Sequence, residues 1–192
     1  MDHREDRRVE FLAVLNSEHS STGCGCDMVI RPAVTADLEA INDIYNHYVF
    51  NSTCTYQTEA EPMELRGKWF ENHGAAHPVI VAEEAGVVVG WGSLSKFHQR
   101  AAYSRTVENS VYVHHAQQRR GIGWLLLTQL IELAGELGHH TIIALIDAEQ
   151  TPSVAVHAKA GFEKVALLKE VGFKFGRWLD VVYMQRMVGT ER

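Results

Sequence analysis

The chain has 192 residues and a formal charge of −6, with 46% hydrophobic and 22% charged residues, the balance of one globular domain with some chain to spare. The acidic excess argues against a broad nucleic-acid surface, which would be basic, and no apolar run approaches the roughly 18 residues that cross a bilayer. The three cysteines, Cys24, Cys26 and Cys54, are an odd number in a chain this long, which fits a reducing cytoplasm rather than a disulfide framework.

Residues 1–27 are polar, end in Ser, Thr and Gly, and read as a mobile extension. Residues 11–15 are too short for a signal-peptide core. Arg7-Arg8 lacks the apolar stretch of a twin-arginine signal, and Cys24-x-Cys26 supplies two ligands, too few for a metal site. The folded unit is expected to be a single domain over 28–192.

A short strand at 29–31 is closed by Pro32. Thr35 or Asp37 then caps a helix carrying Leu38, Ile41, Ile44, Tyr45 and Tyr48 at helical spacing. A second helix follows at 64–72. Residues 79–83 and 87–95 read as strands around a turn at 84–86, and 106–113 as a third long strand. Leu126, Leu130, Leu133 and Leu137 stripe one helix face, which Gly138 ends. Residues 141–146 form a buried strand. A helix begins near Pro152 and ends at Gly161, and strands at about 163–168 and 178–187 complete the chain. The order predicts an α+β fold, a mixed and largely antiparallel sheet flanked by helices.

The stretch VYVHHAQQRRGIGWLLL, 111–127, hands a strand over to the leucine helix through two arginines and two glycines. Gly121 and Gly123 let backbone approach a ligand with no Cβ in the way. The first amides of the helix lack internal partners and, with the helix dipole, favour an anion such as a pyrophosphate. Arg119 and Arg120 add positive charge. No Gly-Lys-Ser/Thr follows, so this is not a P-loop, and a third glycine is missing for a dinucleotide fingerprint.

The spacing Gln118-x-x-Gly121-x-Gly123 after SVYV resembles the pyrophosphate loop of the GNAT superfamily of acetyl-CoA-dependent N-acetyltransferases. The likeness runs from about Met28 to Met187. The stretches TVENSVYV (106–113), PSVAVHAKAGF (152–162) and VGFKFGRWLDVVYMQ (171–185) are similar to the phosphinothricin and methionine sulfoximine N-acetyltransferases. The resemblance implies a GNAT-type sheet and acetyl-CoA as co-substrate; no metal is expected. It implies that Val111, Tyr112 and Val113 meet the thioester end of acetyl-CoA, their backbone pairing with the pantetheine arm. Arg119, Arg120, Gly121, Ile122, Gly123 and Trp124 would wrap the pyrophosphate. Gln150 stands where relatives have asparagine, and Ser153 matches another cofactor contact.

Acetyl transfer to an amine needs a proton acceptor, because such amines are mostly charged at neutral pH. Glu108 shares a strand face with Ser110 and Tyr112 and lies among Val107, Val111 and Val113, where burial would raise its pKa. The resemblance implies that it is the base. His157, four residues after Ser153 on one helix face, stands where many GNAT enzymes have a tyrosine that protonates the departing thiolate; a structural histidine is the plain alternative. By the same resemblance, Phe97, His98, Arg100 and Tyr103, in SKFHQRAAYSR, would bind substrate, Arg100 offering a two-pronged grip on an acid group. A homodimer is expected, and Lys174 and Arg177 fall either at the pocket border or at a dimer contact.

The expected activity is acetylation of the α-amine of a small amino-acid analogue. A polyamine, aminoglycoside or protein amine is the alternative acceptor, and a non-catalytic acetyl-CoA sensor the alternative class. Glu108 together with His157 speaks against the sensor, which needs neither.

Overall fold

The computed structural model describes residues 28–189. The expected mobile extension, with Cys24 and Cys26, lies outside the described residues. In chain order the elements are β1 (Met28–Pro32), α1 (Leu38–Asn51), α2 (Met63–Glu71), β2 (Val79–Glu84), β3 (Val87–Lys96), β4 (Thr106–Val113), α3 (Ile122–Glu136), β5 (Thr141–Asp147), α4 (Thr151–Lys159), β6 (Glu163–Lys174) and β7 (Arg177–Met187). They build one seven-stranded sheet in the order β1-β2-β3-β4-β5-β7-β6. Every neighbouring pair is antiparallel except β4 and β5, which run parallel. This is the α+β fold expected from the pattern. Among the described residues no helix is long and apolar enough to cross a membrane.

Strand alternation divides the interior into two cores, one on each face of the sheet. Ile80, Leu94, Val107 and Ile142 face the leucine stripe of α3. Val79, Val81 and Trp91 face Leu38, Ile41 and Ile44 of α1. The α3 face is packed so closely that a Cβ on Gly92 would stand 2.9 Å from a Leu130 methyl, so a glycine in β3 sets how near the helix comes.

Asp37 stands at the N-cap position of α1, where its side chain makes no capping bond to that helix. It closes a short 3-10 turn at Thr35–Asp37, where its carboxylate accepts the Val34 N–H at 2.8 Å and the Arg31 guanidinium at 2.7 and 2.8 Å. The last hairpin is longer than expected, with β6 running to Lys174 rather than ending near Leu168. The charged, glycine-containing KEVGFK lacks strand periodicity. Its ladder nevertheless resumes after an irregularity between Leu168 and Gly172, where Glu170 has φ 55°. The two-residue turn Phe175-Gly176, with φ 51° and 74°, then matches the twist of its strands.

Candidate active site

β4 and β5 pair over three residues, from Thr106↔Thr141 to Glu108↔Ile143, and then part. β3 holds the other edge of β4 as far as Val113, while β5 goes on beside β7. The wedge between them opens into a cavity of about 500 Å³, walled by residues 108–112 on one side and 144–147 on the other. One edge of β4 therefore has no neighbouring strand beyond Glu108, and its backbone groups can pair with an extended ligand laid into the wedge. Val111 and Tyr112 line this cavity. The Tyr112 ring turns away into the α1 core, stacked on Trp91 at 4.8 Å. The Val113 carbonyl accepts a 2.5 Å hydrogen bond from the Tyr48 hydroxyl, which in turn accepts from Gln118 at 2.6 Å.

Glu108 and His157 line the same cavity from opposite faces of the sheet. Glu108 sits where β4 loses its partner, on the α1–α2 face, opposite Ser95 of β3. Burial raises its carboxyl pKa above the ordinary glutamate value. His157 comes from α4 on the other face and is only 6% exposed, which lowers its imidazole pKa despite the Ser153 carbonyl bond. That carbonyl can only accept, at 2.8 Å, so Nδ1 carries the proton. Nε2 then accepts from the Asn109 amide at 3.0 Å, and the Asn109 Oδ1 is left buried with no partner among the described residues. Both nitrogens of the neutral ring are thus engaged. Ser153 and Gln150 also line the cavity, and Gln150 donates to Thr53 Oγ1 at 3.2 Å.

The turn into α3 has the shape its glycines foretell. Gly121 is the residue before the helix and adopts φ 84°, left-handed backbone that strains any residue with a Cβ. The first helical hydrogen bond runs from Leu125 N–H to the Gly121 carbonyl, which leaves the amides of Ile122, Gly123 and Trp124 open at the helix start. A Cβ on Gly123 would meet nothing nearer than a Val113 methyl at 3.7 Å. The side chains around this turn are differently employed. Arg120 pairs with Glu84 at 2.7 and 2.8 Å, and the Trp124 ring lies under Lys159, 4.3 Å from its Nζ. Arg119 is exposed, with φ 63°. The backbone is what this turn offers an anion, with Arg119 beside it.

The loop after β3 stands apart. Phe97, His98 and Tyr103 pack their rings together at 5.0 to 5.9 Å, and Arg100 is exposed beside them. None of these four lines the cavity within one chain. Sequence reasoning missed a group that does: Tyr45, Arg66, Trp69 and Trp91, and beyond them Tyr56 of the 52–57 loop. Tyr45 showed itself as a core position of α1. Arg66 gave no sign, since ELRGKWF reads as an amphipathic helix with a solvated arginine.

Comparison with known proteins gives the family. Residues 30–183 match the family model described as the acetyltransferase (GNAT) domain. The chain belongs to the GNAT acetyltransferase family. It is accordingly an acetyl-CoA-dependent N-acetyltransferase. The L-methionine sulfoximine/L-methionine sulfone acetyltransferase of Salmonella typhimurium is 40% identical to it over 82% of this chain and 93% of the relative. The phosphinothricin N-acetyltransferase of Streptomyces viridochromogenes is 38% identical over 82% and 86%. Among solved structures, an acetyltransferase from S. typhimurium with its cofactor acetyl-CoA superposes with a TM-score of 0.83 at 38% identity, over 85% of this GNAT chain and 95% of the other. A phosphinothricin acetyltransferase from Sinorhizobium meliloti in complex with acetyl-CoA gives 0.82 at 37%, over 84% and 89%.

Proposed function

We propose that this GNAT enzyme acetylates the α-amine of a small amino-acid-type acceptor of the methionine sulfoximine or phosphinothricin class, with Glu108 as the base. The single observation that carries the reading is the parting of β4 and β5 at Glu108, which puts a half-buried carboxyl at the mouth of an open strand edge. The printed activities of the relatives supply the acceptor class.

The residues present fit acetyl-CoA. The free edge of β4 at Val111, Tyr112 and Val113 suits an amide-bearing arm. The open amides of Ile122, Gly123 and Trp124, reached past the bare Gly121 and Gly123, suit a pyrophosphate, with charge from Arg119. Ser153 and Gln150 border the same wedge. When bound, the thioester supplies an activated acetyl group. Glu108 does the rest of the work assigned to this face: it draws a proton from the acceptor ammonium, so that the nitrogen lone pair is free to attack. Its raised pKa brings it nearer the working pH, where a base is most effective. His157 must first give up its Asn109 bond; its free Nε2 then takes the proton that the attacking nitrogen sheds after bond formation and passes it to the departing sulfur. Phe97, His98, Arg100 and Tyr103 are proposed to meet the acceptor from outside the single-chain cavity, in keeping with a cytoplasmic homodimer.

Thiol release from acetyl-CoA with a panel of acceptors tests this. Methionine sulfoximine, methionine sulfone and phosphinothricin should be turned over, while spermidine, an aminoglycoside and a peptide amine should be poor. Preference for any of the last three would replace the acceptor class, and no release with any amine would remove the enzymatic reading.

A further inference from the structure

We propose that Arg66 is the acid-recognising residue inside the cavity, and that its guanidinium holds an oxyanion of the acceptor; this rests on the acceptor class proposed above. Arg66 is 3% exposed yet lines the cavity. Its Nε donates to Asn42 Oδ1 at 3.1 Å, and the Asn42 amide is fixed in turn by the Glu61 carbonyl at 2.9 Å. Three aromatic rings hold the guanidinium, with centroids at 4.6 Å for Tyr45, 4.7 Å for Trp69 and 5.7 Å for Trp91.

The Nη groups of Arg66 have no hydrogen-bond or ion-pair partner among the described residues. The indole Nε1 of Trp91 beside it is likewise buried and unpartnered. A buried cation is ordinarily paired, because desolvating it unpaired is costly. Cation–π contact offsets part of that cost, and the planar fork it leaves open matches a carboxylate or phosphinate. Lys174, the other buried cation near the cavity, has its Nζ engaged by the carbonyls of Ser52 and Thr55 at 2.8 and 2.7 Å. Arg66 is therefore the permanent cation of the lining.

Its distance from the base sets the length of the acceptor. Ser95 is the strand partner of Glu108, and His73, just past α2, lies 3.1 Å from the Ser95 hydroxyl. Arg66 lies five residues before Glu71, the end of α2, roughly 8 Å along the helix, and His73 follows two residues on. An amine with an oxyanion several bonds away spans that interval, and a simple alkyl amine does not. Glu108, which lines the far part of this wall, repels an anion at the base and favours placing the acceptor's acid at Arg66.

The test is steady-state kinetics of wild type, Arg66→Met and Arg66→Lys with three acceptors. Methionine sulfoximine carries both the carboxyl and the side-chain oxygen, its decarboxylated amine lacks the carboxyl, and 2-aminobutyrate lacks the side-chain oxygen. Arg66→Met should raise KM for methionine sulfoximine about 10- to 100-fold, the loss expected of a charge-assisted hydrogen bond. Arg66→Lys should recover part of this, and KM for acetyl-CoA should stay within about twofold in both. The decarboxylated amine should escape the penalty and 2-aminobutyrate should bear it, because the carboxylate is the one oxyanion of methionine sulfoximine. Equal effects on all three acceptors, or none, would overturn the assignment while leaving wild-type turnover, and hence the proposed function, intact. Failure of wild type to acetylate any of them would remove both. Should Arg66→Met not fold, 4-(methylsulfonyl)butanoate, an acceptor analogue with no amine, decides the matter. It should compete with methionine sulfoximine in wild type and compete severalfold more weakly in Arg66→Lys, and equal inhibition of the two would overturn the proposal.

Discussion

Glu108 carries a thermodynamic signature as well as a chemical one. Burial favours its neutral form, so its folded pKa lies above its unfolded value, which is near 4.3. The stability this group contributes is complete below the unfolded pKa and is lost as pH rises through the folded one. Glu108→Gln keeps the shape and cannot ionise, so it should melt above wild type at pH 8, with the gap closing towards pH 4. Thermal melts at both pH values check this, and coincident melting at pH 8 would mean that the carboxylate is solvated. His157 has the opposite sign. Its pKa is lowered by burial, so its contribution is present above about 6.5 and is lost as the pH falls through the folded value.

At the scale of elements, the proposed cofactor site reduces to the junction of β4 with α3. Gly123→Val should leave the fold standing, because a Cβ there meets only ordinary contact with Val113. A branched side chain beside the open amides should nonetheless raise KM for acetyl-CoA by about tenfold or more, the loss expected when charge-assisted backbone hydrogen bonds are weakened. Titration of acetyl-CoA against the purified variant reads this directly, and unchanged binding would take the pyrophosphate away from this turn. Much of this junction is legible in the sequence. The leucine stripe, the two glycines and the alternation that puts Glu108 with Ser110 are local, and local patterns survive folding. What is not legible is relational. Nothing in TVENSVYV or TIIALID says that the two strands stay together for three residues and then part. Arg66 gives no signal in the sequence because its burial depends on Trp91, which is 25 residues away in sequence and opposite it in the fold. Arg120 illustrates the converse, a basic residue in the right motif whose side chain is drawn to Glu84 on the neighbouring hairpin.

At the scale of the whole molecule, the final hairpin leaves large apolar groups in the open. Val165, Val171, Phe173, Phe175 and Trp178 are all more than half exposed, and Phe173 packs edge-on against Trp178 at 5.1 Å. Patches of this kind on soluble proteins mark contact surfaces, and the expected homodimer gives this one an occupant. Light scattering should return the mass of a dimer for wild type and of a monomer for the double variant Phe173→Asp, Trp178→Asp. A wild-type monomer at micromolar concentration would contradict the homodimer.

The cavity between β4 and β5 is proposed to be where an amine is deprotonated by Glu108 and acetylated. The most direct measurement is the pH dependence of kcat for methionine sulfoximine, followed by thiol release from acetyl-CoA, in wild type and Glu108→Gln. Wild type should gain activity as Glu108 ionises. Glu108→Gln should lose that limb and fall about 10²- to 10⁴-fold at neutral pH, recovering in part at high pH as more of the amine becomes neutral unaided, with KM for acetyl-CoA little changed. Near-wild-type turnover with an unchanged pH profile in Glu108→Gln would contradict the account.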